Sequence, residues 1–230
     1  MDEQQQSRGG FMTRYNGKTG PEKLAAAARA AGVADPLVLD AIRHTSRALF
    51  VPAAYADRAY DDGPVPIPHH QVTTQPSLSA TMIAALHLDG RQRVLEVGTG
   101  YGYQTALLAR IAALVVSIEI WPDLAEQARR NLAAQGIGHV VVLTADGTEG
   151  APEHAPFDAI VVSAAFPRVP PPLTAQLRTG GRLVQPMGPG GAEHVVLYEK
   201  DEDGLRRVTV LTEASFVRLH GQHGFPEPAA

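Results

Sequence analysis

"RVLEVGTGYGYQTALLARI", Arg93 to Ile111, runs from an apolar, strand-like stretch through a glycine turn into a segment with helical spacing. Gly98, Gly100 and Gly102 carry no Cβ, so the chain can turn sharply there and bring backbone N–H groups close to a ligand. Three readings compete: a seat for a phosphate, a seat for another polar ligand, or a tight structural corner. The phosphate readings fit poorly. A dinucleotide fingerprint needs glycine or alanine at the sixth position, which is Tyr103, and a P-loop needs Gly-Lys followed by Ser or Thr, which is missing.

Outward from this turn the rhythm is regular. Strand-like runs fall at Val94–Val97, Val115–Glu119, Val140–Thr144, Asp158–Ser163 and Arg182–Pro186. Helical stretches at Gln104–Ala113 and Pro122–Gln135 separate the first three, the second opening on proline and ending before Gly136. Such alternation predicts a parallel sheet covered on both faces. Near the end, His194–Glu199 and Leu205–Leu211 flank the polar turn "KDEDGLRR", which predicts an antiparallel hairpin added to the sheet edge. Upstream, Pro21–Ala31 is alanine-rich and stops at Gly32, and a second helix starts at Asp35 as cap, with Pro36 in its first turn, and runs to about His44. The proline-rich segment "FVPAAYADRAYDDGPVPIPHHQVTTQP" predicts a long ordered loop, and loops of that length in a compact domain are usually functional.

Composition narrows the class. The chain has 230 residues, 44% hydrophobic and 19% charged, enough for one domain with a real core. A net charge of −4 with no basic block gives no footprint for nucleic acid or an anionic membrane. Cysteine is absent, which excludes disulfides, thiolate catalysis and cysteine metal sites. The start "MDEQQQSRGG" has no basic or apolar region of a secretory signal, and Met1 to Gly20 reads as a mobile tail. The apolar run from Ile111 to Trp121 is too short to span a bilayer and carries Glu119. A cytoplasmic monomer is the expectation.

Two carboxylates sharpen the reading of the turn. Glu119 ends the second strand, where it can accept hydrogen bonds from both ribose hydroxyls. Asp146 ends the third, where it can accept from an adenine amine, with Gly147 letting the ring approach. A lone glycine turn is often a structural corner, and a strand-end carboxylate is usually just solvated. The three together describe a nucleoside site without pyrophosphate recognition, which S-adenosylmethionine fits. Trp121 and Phe166 read as covers for the adenine or as ordinary packing. His69 with His70, and His220 with His223, tempt a metal reading, but no carboxylate completes a recognisable set, so no metal is expected.

The segments "VLEVGTGYGYQTALLA", "IEI", "ADGTEGAPEHAPFDAIVVSAA" and "LRTGGRLVQPMG" resemble the protein-L-isoaspartate O-methyltransferases, which repair isoaspartyl residues. The likeness runs from about Leu24 to Phe225 and includes "ALFVPAAYADRAYDD" and "FVRLHGQHGF". It implies an α/β, Rossmann-like S-adenosylmethionine-dependent methyltransferase fold. That fold is a mostly parallel doubly wound sheet with an antiparallel hairpin at its C-terminal edge and an N-terminal helical and loop cap. One domain over 21–230 would hold the cap and acceptor loop in 21–90 and the cofactor-binding core and last strands in 91–230. The implied cofactor set is Glu96, Gly98, Thr99, Gly100, Tyr103, Gln104, Thr105, Glu119, Ile120, Asp146 and Gly147. The implied partner is an isoaspartyl protein or peptide, whose free carboxylate is the methyl acceptor.

The family's acceptor loop, Gly-x-Gly-Gln-Thr-Ile-Ser-Gln-Pro-Tyr, reads "PHHQVTTQPS" here, Pro68 to Ser77. Thr74 falls at the serine position and keeps a hydroxyl, so the resemblance gives it the catalytic contact with the acceptor. His70, Gln71, Val72, Thr73, Gln75, Val217 and Arg218 would surround the peptide, Arg218 standing where the family usually has proline. Both family glycines are replaced, by Pro68 and His70, which stiffens the loop. Three alternatives stay open beside the repair enzyme: a relative that methylates an ordinary aspartate in one dedicated peptide, a non-catalytic cofactor-binding module, and a nicotinamide oxidoreductase.

Overall fold

The structure of the chain, a computed structural model, describes residues 14–15 and 18–226. Seven strands form one sheet: β1 (Arg93–Val97), β2 (Leu114–Glu119), β3 (Val140–Thr144), β4 (Phe157–Val162), β5 (Leu177–Met187), β6 (Glu193–Asp201) and β7 (Gly204–Ala214). Their spatial order is β7-β6-β5-β4-β1-β2-β3. Pairings from β3 across to β5 are parallel, while β6 and β7 are antiparallel to their neighbours, giving the edge hairpin expected from "KDEDGLRR". The chain leaves β1 for β2 on one side and returns to β4 on the other. The strand order therefore reverses at β1, the place where open α/β sheets bind ligands.

Alternation along the strands supplies two cores. Val94, Val115, Ala159 and Val184 face one layer, with buried residues of α1 (Gly20–Ala30), α2 (Pro36–Arg43), α3 (Pro76–Ala85) and α4 (Tyr103–Ala109). Leu95, Val116, Ile160 and Leu183 face the other, with Phe157, Leu219 and, from α6 (Pro171–Gln176), Leu173. Strands buried on both faces give the near-continuous apolar runs seen in the sequence. The helix of the second crossover, α5 (Pro122–Ala134), opens on its proline as expected.

The N-terminal helices follow their local signals. The Asp35 carboxylate accepts from the Leu37 and Val38 N–H groups at 2.8 and 3.4 Å, capping α2. Most of the expected mobile tail, residues 1–13 and 16–17, lies outside the described residues. Within the rest of it, Arg14–Tyr15 pairs with Lys18–Thr19 and Gly20 opens α1.

The long loop is more structured than its prolines suggest. It contains short 3-10 turns at Arg47–Phe50 and Ala53–Arg58 and a small antiparallel pairing of Pro66–Ile67 with Gln71–Val72. Arg47 ties it together. The side chain is fully buried, and its guanidinium donates to the carbonyls of Ala59, Asp61 and Gly63 and to the Thr73 hydroxyl at 2.9–3.2 Å. Helix α3 follows directly and has no counterpart in the sequence reading. Its cap comes from far upstream: Asp62 accepts from the Ser77 N–H at 2.8 Å and from Gln75 Nε2 at 2.9 Å.

Candidate active site

A cavity of about 300 Å³ opens beyond the carboxyl ends of β1, β2 and β4. Its floor is the glycine turn. Gly98, Gly100 and Gly102 take φ of 95°, 54° and 91°, the left-handed region that side chains rarely adopt, so the turn needs glycine at each. Glu119 holds the turn in place from the end of β2. One carboxylate oxygen accepts from the Gly100 N–H at 2.7 Å and the other from the Trp121 N–H at 3.1 Å. Burial pushes the Glu119 carboxyl above its ordinary value, against the pull of those backbone N–H groups.

Behind the turn lies a second carboxylate. Glu96 is fully buried in β1 and accepts from the Thr105 and Ser117 hydroxyls and, at 3.1 Å, from Gln104 Nε2. Burial raises it to about 7, although each of those hydrogen bonds pulls the other way. Gln104 also donates to Ser163 at 2.8 Å, while its Oε1 is buried without a partner among the described residues. Ser79 from α3 likewise brings a buried, unpartnered hydroxyl to the wall. Unpaired buried polar atoms are costly, and both of these belong to residues that line the cavity.

The opposite wall is the segment after the small hairpin. Gln71, Val72, Thr73 and Thr74 all line the cavity. Thr73 is anchored, its hydroxyl accepting from Arg47 and from the Val65 N–H at 3.0 and 3.1 Å. Thr74 differs: among the described residues its hydroxyl has no hydrogen-bond partner. The closing segment completes the rim with Val217, Arg218 and His220. Arg218 donates from Nε to the Pro189 carbonyl at 3.2 Å and lies 5.1 Å over the Phe225 ring.

Thus Gly98, Thr99, Gly100, Tyr103, Gln104, Glu119, Ile120 and Gly147 meet at one cavity with Gln71 to Thr74, Val217 and Arg218. Five expected residues do not reach its wall. Glu96 and Thr105 are locked together behind the turn, and His70 faces solvent at the hairpin tip. Gln75 is engaged with Asp62 and Ser77, so it positions α3. Asp146 accepts from the Thr148 N–H and hydroxyl and, at 2.6 Å, from the Gln222 N–H, so its carboxylate fastens the closing segment. Gly147 also has a packing reason: a Cβ there would stand 2.4 Å from Val97.

Trp121 lines the cavity, but its outer face is taken by His69, stacked at 4.0 Å between centroids and 1° between planes. Phe166 packs edge-to-face on Phe225 at 5.1 Å and is not on the wall. Ser79 and Ser163 line the cavity without any signal in the sequence that singles them out, and His220, which the sequence offers only for a metal reading, lines it as well. Among the described residues no cluster of three or more His, Asp or Glu side chains could hold a metal.

A mostly parallel sheet with a glycine turn and a strand-end carboxylate at its switch point defines the Rossmann-like class that holds a nucleoside-bearing ligand. The comparisons narrow this. The family described as protein-L-isoaspartate (D-aspartate) O-methyltransferase matches residues 19–224. A protein-L-isoaspartate O-methyltransferase of Methanoculleus marisnigri is 47% identical over 86% of this chain and 89% of its own. One of Anaeromyxobacter dehalogenans is 50% identical over 82% and 91%. A solved protein-L-isoaspartate O-methyltransferase superposes with a TM-score of 0.75 at 29% identity, covering 89% of this chain and 67% of that one. A Plasmodium falciparum structure assigned to the same activity, in complex with S-adenosyl-L-homocysteine, shares the fold with a TM-score of 0.73 at 20% identity, over 86% and 97% of the two chains. The chain belongs to the protein-L-isoaspartate (D-aspartate) O-methyltransferase family.

Proposed function

We propose that the two walls of the cavity divide the work of S-adenosylmethionine-dependent methylation of L-isoaspartyl residues. The single observation that carries this is the placement of Thr74, a hydroxyl without a hydrogen-bond partner among the described residues, in one cavity with the Gly98–Gly102 turn and Glu119. The cofactor fits the residues present. The turn offers backbone N–H groups, Glu119 offers carboxylate lone pairs beyond those used by Gly100 and Trp121, and Gln104 Oε1 lacks a partner. When bound, S-adenosylmethionine supplies an electrophilic methyl group on a sulfonium.

The acceptor needs little activation. In isoaspartate the backbone runs through the β-carboxyl and leaves the α-carboxylate free and ionised at neutral pH, so no general base is required. Thr74 donates its hydroxyl hydrogen to one carboxylate oxygen and leaves the other free to attack. Arg218 stands at the rim to meet a carboxylate of the peptide. Most of the rate then comes from alignment, which is worth about 7–11 kcal/mol for well-held reactants. The methyl ester cyclises to a succinimide, whose hydrolysis restores ordinary aspartate in part.

Glu96 and Thr105 act indirectly, by holding Gln104 and β1. Asp146 acts by fastening the closing segment over the cavity, with Val217, Arg218 and His220 as the part that meets the peptide. Residues 21–230 form one methyltransferase domain in this reading, and the protein works as a cytoplasmic monomer without nucleic acid. No helix among the described residues is long and apolar enough to cross a membrane.

The test is Thr74→Val, nearly the same shape without the hydroxyl. Methyl transfer to an isoaspartyl peptide is expected to fall about tenfold or more, the loss of one hydrogen bond to a charged group. Affinity for S-adenosylhomocysteine stays unchanged, and Thr74→Ser keeps most of the rate. Wild-type turnover in Thr74→Val would remove the hydroxyl from the reaction.

A further inference from the structure

His69 sits at the tip of the small hairpin, between the paired segments Pro66–Ile67 and Gln71–Val72, and makes contacts that the function described so far does not use. Its ring lies flat on Trp121, 4.0 Å between centroids and 1° between planes. Its Nε2 is 2.8 and 3.0 Å from the two carboxylate oxygens of Asp123, in the first turn of α5. Trp121 lines the cavity after Glu119, with Asp123 two residues further on in α5, whereas the hairpin leads directly into Thr73 and Thr74 of the same lining. One side chain therefore ties the hairpin to the segment that follows Glu119.

The backbone of the tip supports this. His69 and His70 take φ of 61° and 55°, left-handed values that cost a side chain more than glycine. Conformations of this kind persist where surrounding contacts over-determine them. His70 is exposed and hydrogen-bonded to nothing among the described residues, so the contacts that hold the tip are those of His69, of Gln71 Nε2, which donates to the His69 carbonyl at 2.9 Å, and of the Gln71 N–H, which donates to the Pro68 carbonyl at 3.2 Å. Asp123 responds: burial raises its carboxyl, but the hydrogen bond and charge of His69, with the backbone N–H groups of Asp123 and Leu124, together hold it below the usual value.

We infer that His69 is a positioning residue, clasping the acceptor hairpin onto Trp121 and Asp123 and so setting where Thr74 stands relative to the cofactor side. The inference rests on the two-walled reading above. It concerns the hairpin's place, not any contact with reacting atoms. An unclasped hairpin shifts the acceptor, and a misplacement of about 1 Å costs on the order of a hundredfold in rate.

Trp121 is the only tryptophan of the chain, so its emission reports the stack without any turnover. The experiment compares wild type with His69→Ala and His69→Phe, the latter keeping a ring on Trp121 but losing the bond to Asp123. Emission, thermal midpoint, S-adenosylhomocysteine affinity by calorimetry, and kcat and KM for an isoaspartyl peptide are measured on each. His69→Ala is expected to raise and red-shift the emission and to lower kcat/KM about tenfold, with the thermal midpoint and S-adenosylhomocysteine affinity nearly unchanged. His69→Phe recovers part of both signals. Unchanged emission in His69→Ala would show that the clasp does not form in solution. A kcat/KM within twofold of wild type, or an equal loss in S-adenosylhomocysteine affinity, would overturn the positioning role. If wild type itself failed on every isoaspartyl peptide, the functional reading would fall, while the emission would still decide the clasp.

Discussion

The two walls of the cavity are built by different means. The cofactor wall is made of strand ends and a glycine turn, and its polar side chains are fixed by partners that strand pairing and the turn bring alongside: Glu119 by Gly100 and Trp121, Glu96 by Thr105, Ser117 and Gln104. The acceptor wall is loop, and it is held by side chains that reach across the fold. Arg47 binds Thr73 from 26 residues away, Asp62 caps α3 and His69 grips Asp123 from 54 residues away. A wall of the first kind tolerates little and keeps its local pattern. A wall of the second kind depends on a few distant anchors, and its local sequence can change while they remain.

The largest expected effect breaks an anchor. Arg47→Met would leave the buried Ala59 carbonyl, those of Asp61 and Gly63 and the Thr73 hydroxyl without their donor, at a cost of about 3 kcal/mol in unfolding free energy. Denaturant unfolding measures it. A loss under about 1 kcal/mol would show that the loop holds together without its buried guanidinium.

On the cofactor wall, Glu119→Ala removes a charged acceptor at the end of β2. Affinity for S-adenosylhomocysteine should fall by about tenfold to a hundredfold, corresponding to 1.5–3 kcal/mol. Calorimetric titration reads this, and unchanged binding would place the nucleoside elsewhere.

A distinctive effect belongs to Glu96. Its folded carboxyl titrates near 7 against 4.5 in the unfolded chain. Between those values the folded state holds more protons, so the stability tied to its protonated form is complete below 4.5 and lost as pH rises through 7. One proton gives a slope of at most about 1.4 kcal/mol per pH unit. Glu96→Gln should flatten stability across that window. An unaltered pH profile would mean that Glu96 is ionised in the folded protein at all these pH values.

The same contrast explains how far the sequence could be read. The glycine turn, the strand runs and the Asp35 cap are local patterns, and each appears where its residues predicted. Helix α3 was hidden for two reasons: "PSLSATMIAA" is buried on most sides and so lacks a polar face, and its cap, Asp62, lies 15 residues upstream of Ser77. Asp146 carries the right residue type at a strand end, but its partner Gln222 is 76 residues away, and nothing near Asp146 announces that contact. Gly147 was expected for ligand approach, and the structure adds Val97, against which a Cβ would clash. His69 looked like half of a metal pair, whereas its neighbours in space are Trp121 and Asp123.

The central claim is that this cavity presents the free α-carboxylate of an isoaspartyl unit to the cofactor wall. That carboxylate sits directly on Cα, one methylene nearer the residue's own backbone nitrogen than an aspartyl side-chain carboxylate, so a hairpin fixed by Arg47 and His69 cannot place both equally. Radiolabelled methyl incorporation into matched isoaspartyl and aspartyl versions of one peptide, followed by mass spectrometry for the imide, tests it most directly. The account predicts labelling of the isoaspartyl peptide at least about a hundredfold faster, in line with a misplacement of about 1 Å. Equal or faster labelling of the aspartyl peptide would contradict it.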